Sequence, residues 1–248
     1  MERRLAVVTG GSRGIGAATA RMLAGSGWNV LLTYRSNRAA AESVAARCSD
    51  LGGWAGAVEL DVAEESAVEE VFRSLPAEAG TLRALVNNAG IVAPTSRVVD
   101  LSAERVRRVL EVNVLGVLLC AREAVRLMAP PSGAGGAIVN VSSRAAELGS
   151  PGEYVDYAAS KAAVDAVTRG LALETAGQGI RVNSVRLGLM DTAIHARNGE
   201  PGRLERVAPT IPMGRPGTTT EAAAAICWLL DDASSYTTGA VLDVSGGR

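Results

Sequence analysis

Apolar residues in this chain come in two alternating rhythms. Short, nearly unbroken runs, LAVVT (5–9), NVLLTY (29–34), WAGAVEL (54–60), LRALVNN (82–88), GAIVNVSS (136–143), IRVNSVRL (180–187) and AVLDVS (240–245), have the length and β-branched content of strands. They are apolar at successive rather than alternate positions, which predicts strands covered on both faces. Between them lie longer stretches with helical spacing, at 14–25, 37–49, 64–78, 102–128, 153–176 and 219–231, several with Ser, Asp or Thr placed to cap the first turn. Strands alternating with helices predict the α/β class: a doubly wound, seven-stranded parallel sheet with helices on both faces, built as one domain over 1–248.

No repeat, low-complexity tract or long linker divides the chain, and the turn-rich pieces APPSGAGG (129–136) and NGEPGR (198–203) are loop-sized. The longest weakly patterned segment, 188–218, follows the sixth strand. Ligands of open α/β sheets bind beyond the carboxyl ends of the strands, so this segment is a candidate substrate lid, with plain irregular surface as the alternative.

Composition narrows the functional classes. With 248 residues and 48% hydrophobic content the chain can bury a core without cross-links, and its net charge of −1, with basic and acidic residues interspersed, gives no footprint for nucleic acid or an anionic membrane. A small-molecule partner is expected. Cys48, Cys120 and Cys227 are far apart and His195 is the single histidine, so neither a disulfide framework nor a metal site is expected; buried thiols of a cytoplasmic protein are. The opening apolar run is too short for a signal-peptide core or a membrane span.

Residues 9–16, TGGSRGIG, follow the first strand and open the first helix. Gly10 permits a sharp turn, Gly14 a close approach to a pyrophosphate and Gly16 close helix packing; Ser12, Arg13 and Ile15 complete the turn, and the helix start offers free N–H groups to anionic oxygens. In this strand–turn–helix context the glycines indicate dinucleotide binding, a Rossmann-type arrangement, although the spacing is Gly-x3-Gly-x-Gly. The second strand ends in TYRSN with no carboxylate to receive a ribose 2′-hydroxyl. Arg35 and Ser36 there, with Arg13 opposite, suit a 2′-phosphate, so NADP(H) is favoured over NAD(H).

Tyr157 and Lys161 stand four apart in a helical stretch, on one face. A cation beside a phenol favours the phenolate and lowers a pKa that is ordinarily near 10, which makes Tyr157 a candidate proton donor to a carbonyl oxygen and acceptor in the reverse reaction. Ser143, at the end of the fifth strand, is placed to hold that oxygen.

TGGSRGIG, NNAG (87–90), VNVSS (139–143) and YAASK (157–161), with DV (61–62), EVNVLG (111–116), GIRVNSV (179–185) and TTGAVLDVSGG near the end, together resemble the short-chain dehydrogenase/reductase family in its single-domain form. The resemblance spans the whole chain. It implies Tyr157 as general acid or base, Lys161 on the nicotinamide ribose and lowering the phenol pKa, and Ser143 orienting the carbonyl. It further implies Asn113 holding a water linked to Lys161, Asp61 and Val62 beside the adenine, Asn88, Ala89 and Gly90 along the cofactor, and Thr192 near its carboxamide or phosphate. Three departures stand out: Leu187 where the family has proline, which predicts a looser wall; a Ser143–Tyr157 separation of 14, one residue longer than usual; and Ala146 where glycine is frequent. Ser142 is the alternative to Ser143 as the functional hydroxyl.

The implied activity is hydride transfer between NADP(H) and a carbonyl or secondary alcohol. The substrate is either free or bound to an acyl carrier protein, for which Arg105, Arg107, Arg108, Arg122 and Arg126 offer local positive charge. The resemblance also implies a homotetramer assembled on the outer faces of 102–128 and 153–176. The alternative reading is a non-catalytic NADP-binding redox sensor or scaffold.

Overall fold

The computed structural model describes residues 3–192 and 202–248. In chain order it contains β1 (Arg4–Val8), α1 (Gly14–Gly25), β2 (Asn29–Tyr34), α2 (Arg38–Ser49), β3 (Ala55–Glu59), α3 (Glu65–Arg73), β4 (Thr81–Asn87), α4 (Ala103–Leu110), α5 (Gly116–Met128), β5 (Gly136–Ser143), α6 (Ala145–Leu148), α7 (Val155–Thr175), β6 (Ile180–Leu187), α8 (Arg203–Val207), α9 (Thr219–Leu230) and β7 (Val241–Val244). All seven strands pair in parallel, in the order β3-β2-β1-β4-β5-β6-β7. This is a single-domain, Rossmann-like α/β fold. The order reverses direction between β1 and β4, which opens a crevice at their carboxyl ends.

The unbroken apolar runs are explained by two cores, one on each side of the sheet. From β1, Ala6 and Val8 pack with Leu23 of α1, Val44 of α2 and Ile226 of α9. The intervening Leu5 and Val7 pack on the other side with Val68 and Phe72 of α3, Leu119 and Met128 of α5 and Ala172 of α7. Successive strand side chains point to opposite faces, so a strand buried on both must be apolar throughout.

Two helical expectations change in detail. The helix expected over 64–78 ends at Arg73, since Pro76 pushes its predecessor out of helical geometry and α3 closes before it. The stretch 102–128 is two helices joined by a π-helical turn, Glu111–Leu115, that rotates Asn113 inward. Between Ser143 and Tyr157 the chain forms α6 and a turn in which Gly149, Ser150 and Gly152 all have positive φ. The candidate lid is described only at its ends. There Leu189, Val207 and Ile211 pack together, whereas 193–201, His195 among them, lie outside the described residues. Leu187, in the place of the family's proline, lies within β6, in register with Ser143 on one side and Val244 on the other. Cys48 and Cys120 are buried and Cys227 is half-buried, all as free thiols. Among the described residues no helix is long and apolar enough to cross a membrane.

An ion pair fixes the start of α7. Arg105 of α4 donates through Nε and Nη2 to both oxygens of Asp156, at 2.8 and 3.2 Å, and also to the carbonyl of Pro94. The Asp156 side chain is 1% exposed. Burial works to raise its pKa, but the Arg105 guanidinium and the Tyr157 backbone N–H outweigh it and hold the carboxyl below its usual range. The folded carboxyl therefore binds its proton less readily than the unfolded one. Its contribution to stability is full above the unfolded pKa, about 4, and fades as pH falls through the folded value. Arg105→Leu, which strands Asp156, is expected to cost about 3 kcal/mol in denaturant unfolding at neutral pH, with the deficit shrinking in acid. An equal deficit at both pH values would contradict this account.

Candidate active site

The glycine turn is built by mutual close approach. Gly10 has φ of +64°, and Gly16 sits so tightly that a Cβ there would lie 2.5 Å from both the Gly10 carbonyl oxygen and Asn88 Nδ2. Asn88 Nδ2 donates to the carbonyls of Thr9 (2.8 Å) and Gly10 (3.0 Å), while Thr9 Oγ1 accepts from the backbone N–H groups of Asn88 and Ala89, both at 3.0 Å. The ends of β1 and β4 are thus laced together, and Asn88 acts by shaping the turn. Arg13 at the start of α1 makes no side-chain cap, so the first-turn N–H groups stay available to an anion.

A cavity of about 830 Å³ runs along the carboxyl ends of the strands. Gly10, Ser12, Arg13, Gly14 and Ile15 line it from the turn, Arg35, Ser36, Asp61 and Val62 from the β2 and β3 side, and Asn88, Ala89 and Gly90 from β4. Ser143, Tyr157, Lys161 and Thr192 line the same space. Of the residues expected from sequence, Gly16 and Asn113 stand behind the wall. These groups suit a dinucleotide, with unclaimed helix N–H groups at the turn, arginines at one end and apolar walls at the other.

At the β2 end Asp61 is already committed. Arg108 Nη2 donates to it at 2.6 Å and Arg35 Nε lies 3.4 Å away. Burial pushes the Asp61 carboxyl up, but Arg108, the Ala63 backbone N–H and Arg35 together hold it below its usual range. Its charge is therefore matched by two guanidinium groups, and the Arg35 side chain remains 62% exposed at the cavity mouth.

The two serines of VSS separate cleanly. Ser142 is buried and its hydroxyl donates to the Lys161 carbonyl at 3.2 Å, whereas Ser143 lines the cavity beside Tyr157 and favours its phenolate. Ser143 Oγ also accepts from the Ala145 backbone N–H at 3.1 Å. The expected acidified phenol is corrected here: burial raises the Tyr157 pKa, and Ser143 opposes it only in part. The reason is geometric. Lys161 Nζ lies 5.8 Å from the Tyr157 ring centroid and donates to the Val141 carbonyl at 2.7 Å, so the ammonium faces the strand and desolvation of the phenol prevails. Burial also brings Lys161 down to about 8, with Asp165 working against the fall, which leaves it a cation at neutral pH.

Asn113, fully buried, accepts from the Ile91 N–H at 2.8 Å and donates to the Ile91 carbonyl at 2.9 Å and to Ser160 Oγ at 3.0 Å. Asn113 Oδ1 and Lys161 Nζ both border Gly90, at 3.4 and 3.5 Å from a Cβ built there. Ser160 in turn donates to the Tyr157 carbonyl at 2.7 Å.

Several supporting groups were not singled out from sequence. Asn87 donates to Asn140, and Asn140 to Thr168, both at 2.9 Å, a buried polar chain that ties β4 and β5 to α7. The signal was present, as lone asparagines inside VVN-type strands are costly unless paired. Asp165 is held by Arg186 at 2.7 Å and Ser184 at 3.1 Å, a partnership no local pattern reveals. Of the five helix arginines offered to an acidic partner, Arg105, Arg108, Arg122 and Arg126 are paired within the molecule; only Arg107 has no acid among the described residues.

Comparison with known proteins follows the geometry closely. A family model described as enoyl-(acyl carrier protein) reductase matches residues 10–248. YgfF of Escherichia coli strain K12, an uncharacterized oxidoreductase, is 53% identical over 245 residues, covering 98% of this chain and 99% of its own. The cis-4-hydroxycyclohexanecarboxylate dehydrogenase of Sinomonas cyclohexanicum is 42% identical over 246 residues, 98% of this chain and 96% of that one. The crystal structure of a short-chain type dehydrogenase/reductase from Mycobacterium marinum superposes with a TM-score of 0.92 at 33% identity, over 98% of this chain and 94% of that one.

Proposed function

Because this chain belongs to the short-chain dehydrogenase/reductase family and is an oxidoreductase using a nicotinamide cofactor, we propose that it interconverts a ketone and a secondary alcohol with NADP(H), Tyr157 serving as general acid and base. The observation that carries the proposal is the convergence of Ser143, Tyr157 and Lys161 on one cavity with the glycine turn. The nicotinamide, when bound, supplies or receives hydride at its C4 atom. The protein's part is binding and proton handling. Ser143 Oγ and the Tyr157 hydroxyl both donate to the substrate carbonyl oxygen, and Tyr157 passes its proton to that oxygen as negative charge builds there. Lys161 holds the nicotinamide ribose hydroxyls. Asn113 Oδ1, bordering the same space beside Gly90, holds the water that returns a proton by way of Lys161.

The turn N–H groups receive the pyrophosphate, Asp61 and Val62 flank the adenine, and Ala89, Gly90 and Thr192 line the path between. Arg35, Ser36 and Arg13 select the 2′-phosphate. Arg35→Ala is expected to weaken NADPH binding about tenfold, the loss of one charge-assisted contact, and to leave NADH binding nearly unchanged. Fluorescence titration with both cofactors checks this, and an equal change in the two would remove the basis for the preference.

A small free substrate is favoured over a carrier-bound one, since four of the five arginines that would meet an acidic carrier are internally paired. Apolar Val92, Leu148, Pro151, Leu189 and Met190 line the substrate end, which suits a ring ketone or alcohol such as the Sinomonas dehydrogenase's 4-hydroxycyclohexanecarboxylate. Gly188, Leu189, Met190 and Thr192, at the start of the 188–218 segment, line the cavity, and the protein works in the cytoplasm. The same proposal includes a homotetramer, in which exposed Leu115 and Leu118 pair with their copies across one axis and Ala162 and Ala166 across the outer face of α7; light scattering reads that assembly directly.

A further inference from the structure

The sheet gives the cavity a direction. Arg35 and Asp61 belong to the β2 and β3 end, while Arg144 follows β5 directly and Arg248 stands four residues beyond β7, at the opposite edge of the sheet. Both Arg144 and Arg248 line the cavity. Their charges are not equally available. Arg144 pairs with Glu147 and with Asp243, at 2.8 Å for the latter, and its Nε donates to the Arg248 carbonyl oxygen at 2.7 Å. Arg248 is half-buried and forms no ion pair among the described residues.

The backbone carrying Arg248 is firmly seated. A Cβ at Gly246 would lie 2.8 Å from Ile211 Cγ2 and one at Gly247 3.1 Å from Pro212, while the Met213 N–H donates to the Gly246 carbonyl at 3.1 Å. With Arg144 holding its other side, residue 248 is held at the substrate end of the cavity. Leu148, Tyr154 and Leu189 supply apolar wall there, and Glu153 the one opposing carboxylate among the described residues at that end.

We propose that Arg248 is a specificity-determining anchor for an anionic group, so that the substrate class is a ketone or secondary alcohol bearing a carboxylate away from the reacting carbon. The inference rests on the oxidoreductase reading above and deepens it. A guanidinium presents a planar fork that a carboxylate matches with two hydrogen bonds, and partial burial strengthens that contact relative to water. One substrate would then place its oxygen at Ser143 and Tyr157, its body against the apolar wall and its carboxylate on Arg248.

The test compares 4-oxocyclohexanecarboxylate with its methyl ester, which keeps the shape and removes the charge. The wild-type kcat/KM ratio of acid to ester is expected to be about tenfold or more, to fall to about one in Arg248→Gln, and to persist largely in Arg248→Lys. A wild-type ratio near one, or a ratio unchanged by Arg248→Gln, overturns the proposal and leaves the reductase reading standing. If no ketone consumes either reduced cofactor, the reductase reading itself fails. Calorimetry of cyclohexanecarboxylate binding to the NADP⁺-loaded protein then decides the role of Arg248: affinity at least about tenfold weaker in Arg248→Gln supports it. No wild-type binding, or equal affinity in the two proteins, overturns it.

Discussion

Tyr157→Phe is expected to lower kcat by about a thousandfold or more while cofactor affinity changes little, because it deletes the proton donor and keeps the ring. Phenylalanine preserves the edge-on contact with Tyr154, whose ring centroid lies 6.0 Å away, so the pocket keeps its shape and loses only the hydroxyl. The pH behaviour of the wild type separates the two directions. Burial holds the phenol protonated above its ordinary range, so reduction, which needs the proton, is expected to stay level through neutral pH. Oxidation of the matching alcohol needs the phenolate and is expected to keep climbing past the ordinary phenol pKa, about 10. Stopped-time assays in both directions, with cofactor binding followed by fluorescence, check these statements. A variant with near wild-type turnover would remove Tyr157 from the chemistry.

Gly16→Val is expected to be the most damaging change outside the proton-handling groups. Its Cβ would lie 2.5 Å from the Gly10 carbonyl oxygen, a backbone atom pinned by Asn88. The start of α1 must therefore shift, pulling the anion-receiving N–H groups off position. An overpacking cost of about 2–3 kcal/mol in unfolding is expected, with cofactor affinity down about a hundredfold. Asn88→Ala makes a useful comparison, because it removes the brace but adds no bulk and should weaken binding without the steric cost. If Gly16→Val unfolds too readily to titrate, Asn88→Ala still reports whether the turn's geometry governs affinity.

These two positions also show how much of the site is legible in the chain itself. Gly10, Gly14 and Gly16 were legible because glycines so spaced between a strand and a helix mark a tight turn, in which Gly10 and Gly14 take positive φ and Gly16 has no room for a Cβ. The five inner strands were legible because double-sided burial forces uninterrupted apolar runs, and the edge strands β3 and β7 through their short apolar runs. Tyr157 and Lys161 were legible through helical spacing. What escaped was long-range. Asn88 was expected to line the cofactor, and its bonds to Thr9 and Gly10 depend on two strands 78 or more residues apart meeting side by side. The inward turn of Asn113 depends on a local π-helical widening that hydrophobic spacing does not encode. The direction of the Tyr157 shift was misjudged for a related reason: sequence places a lysine near a phenol but does not say that its ammonium is held by the Val141 carbonyl, nor how far the fold desolvates the phenol. Likewise the helix arginines read as free charge until the fold supplied their acids from α3, α7 and the β3 end.

The most direct test of the account follows the hydride itself. Reduced NADP carrying deuterium at the transferred C4 position would be incubated with 4-oxocyclohexanecarboxylate and neutral ring ketones, and the alcohols analysed by mass spectrometry. The account predicts one deuterium at the carbinol carbon for each cofactor oxidised, and almost none formed by Tyr157→Phe. Tight cofactor binding with no labelled alcohol from any ketone would contradict it.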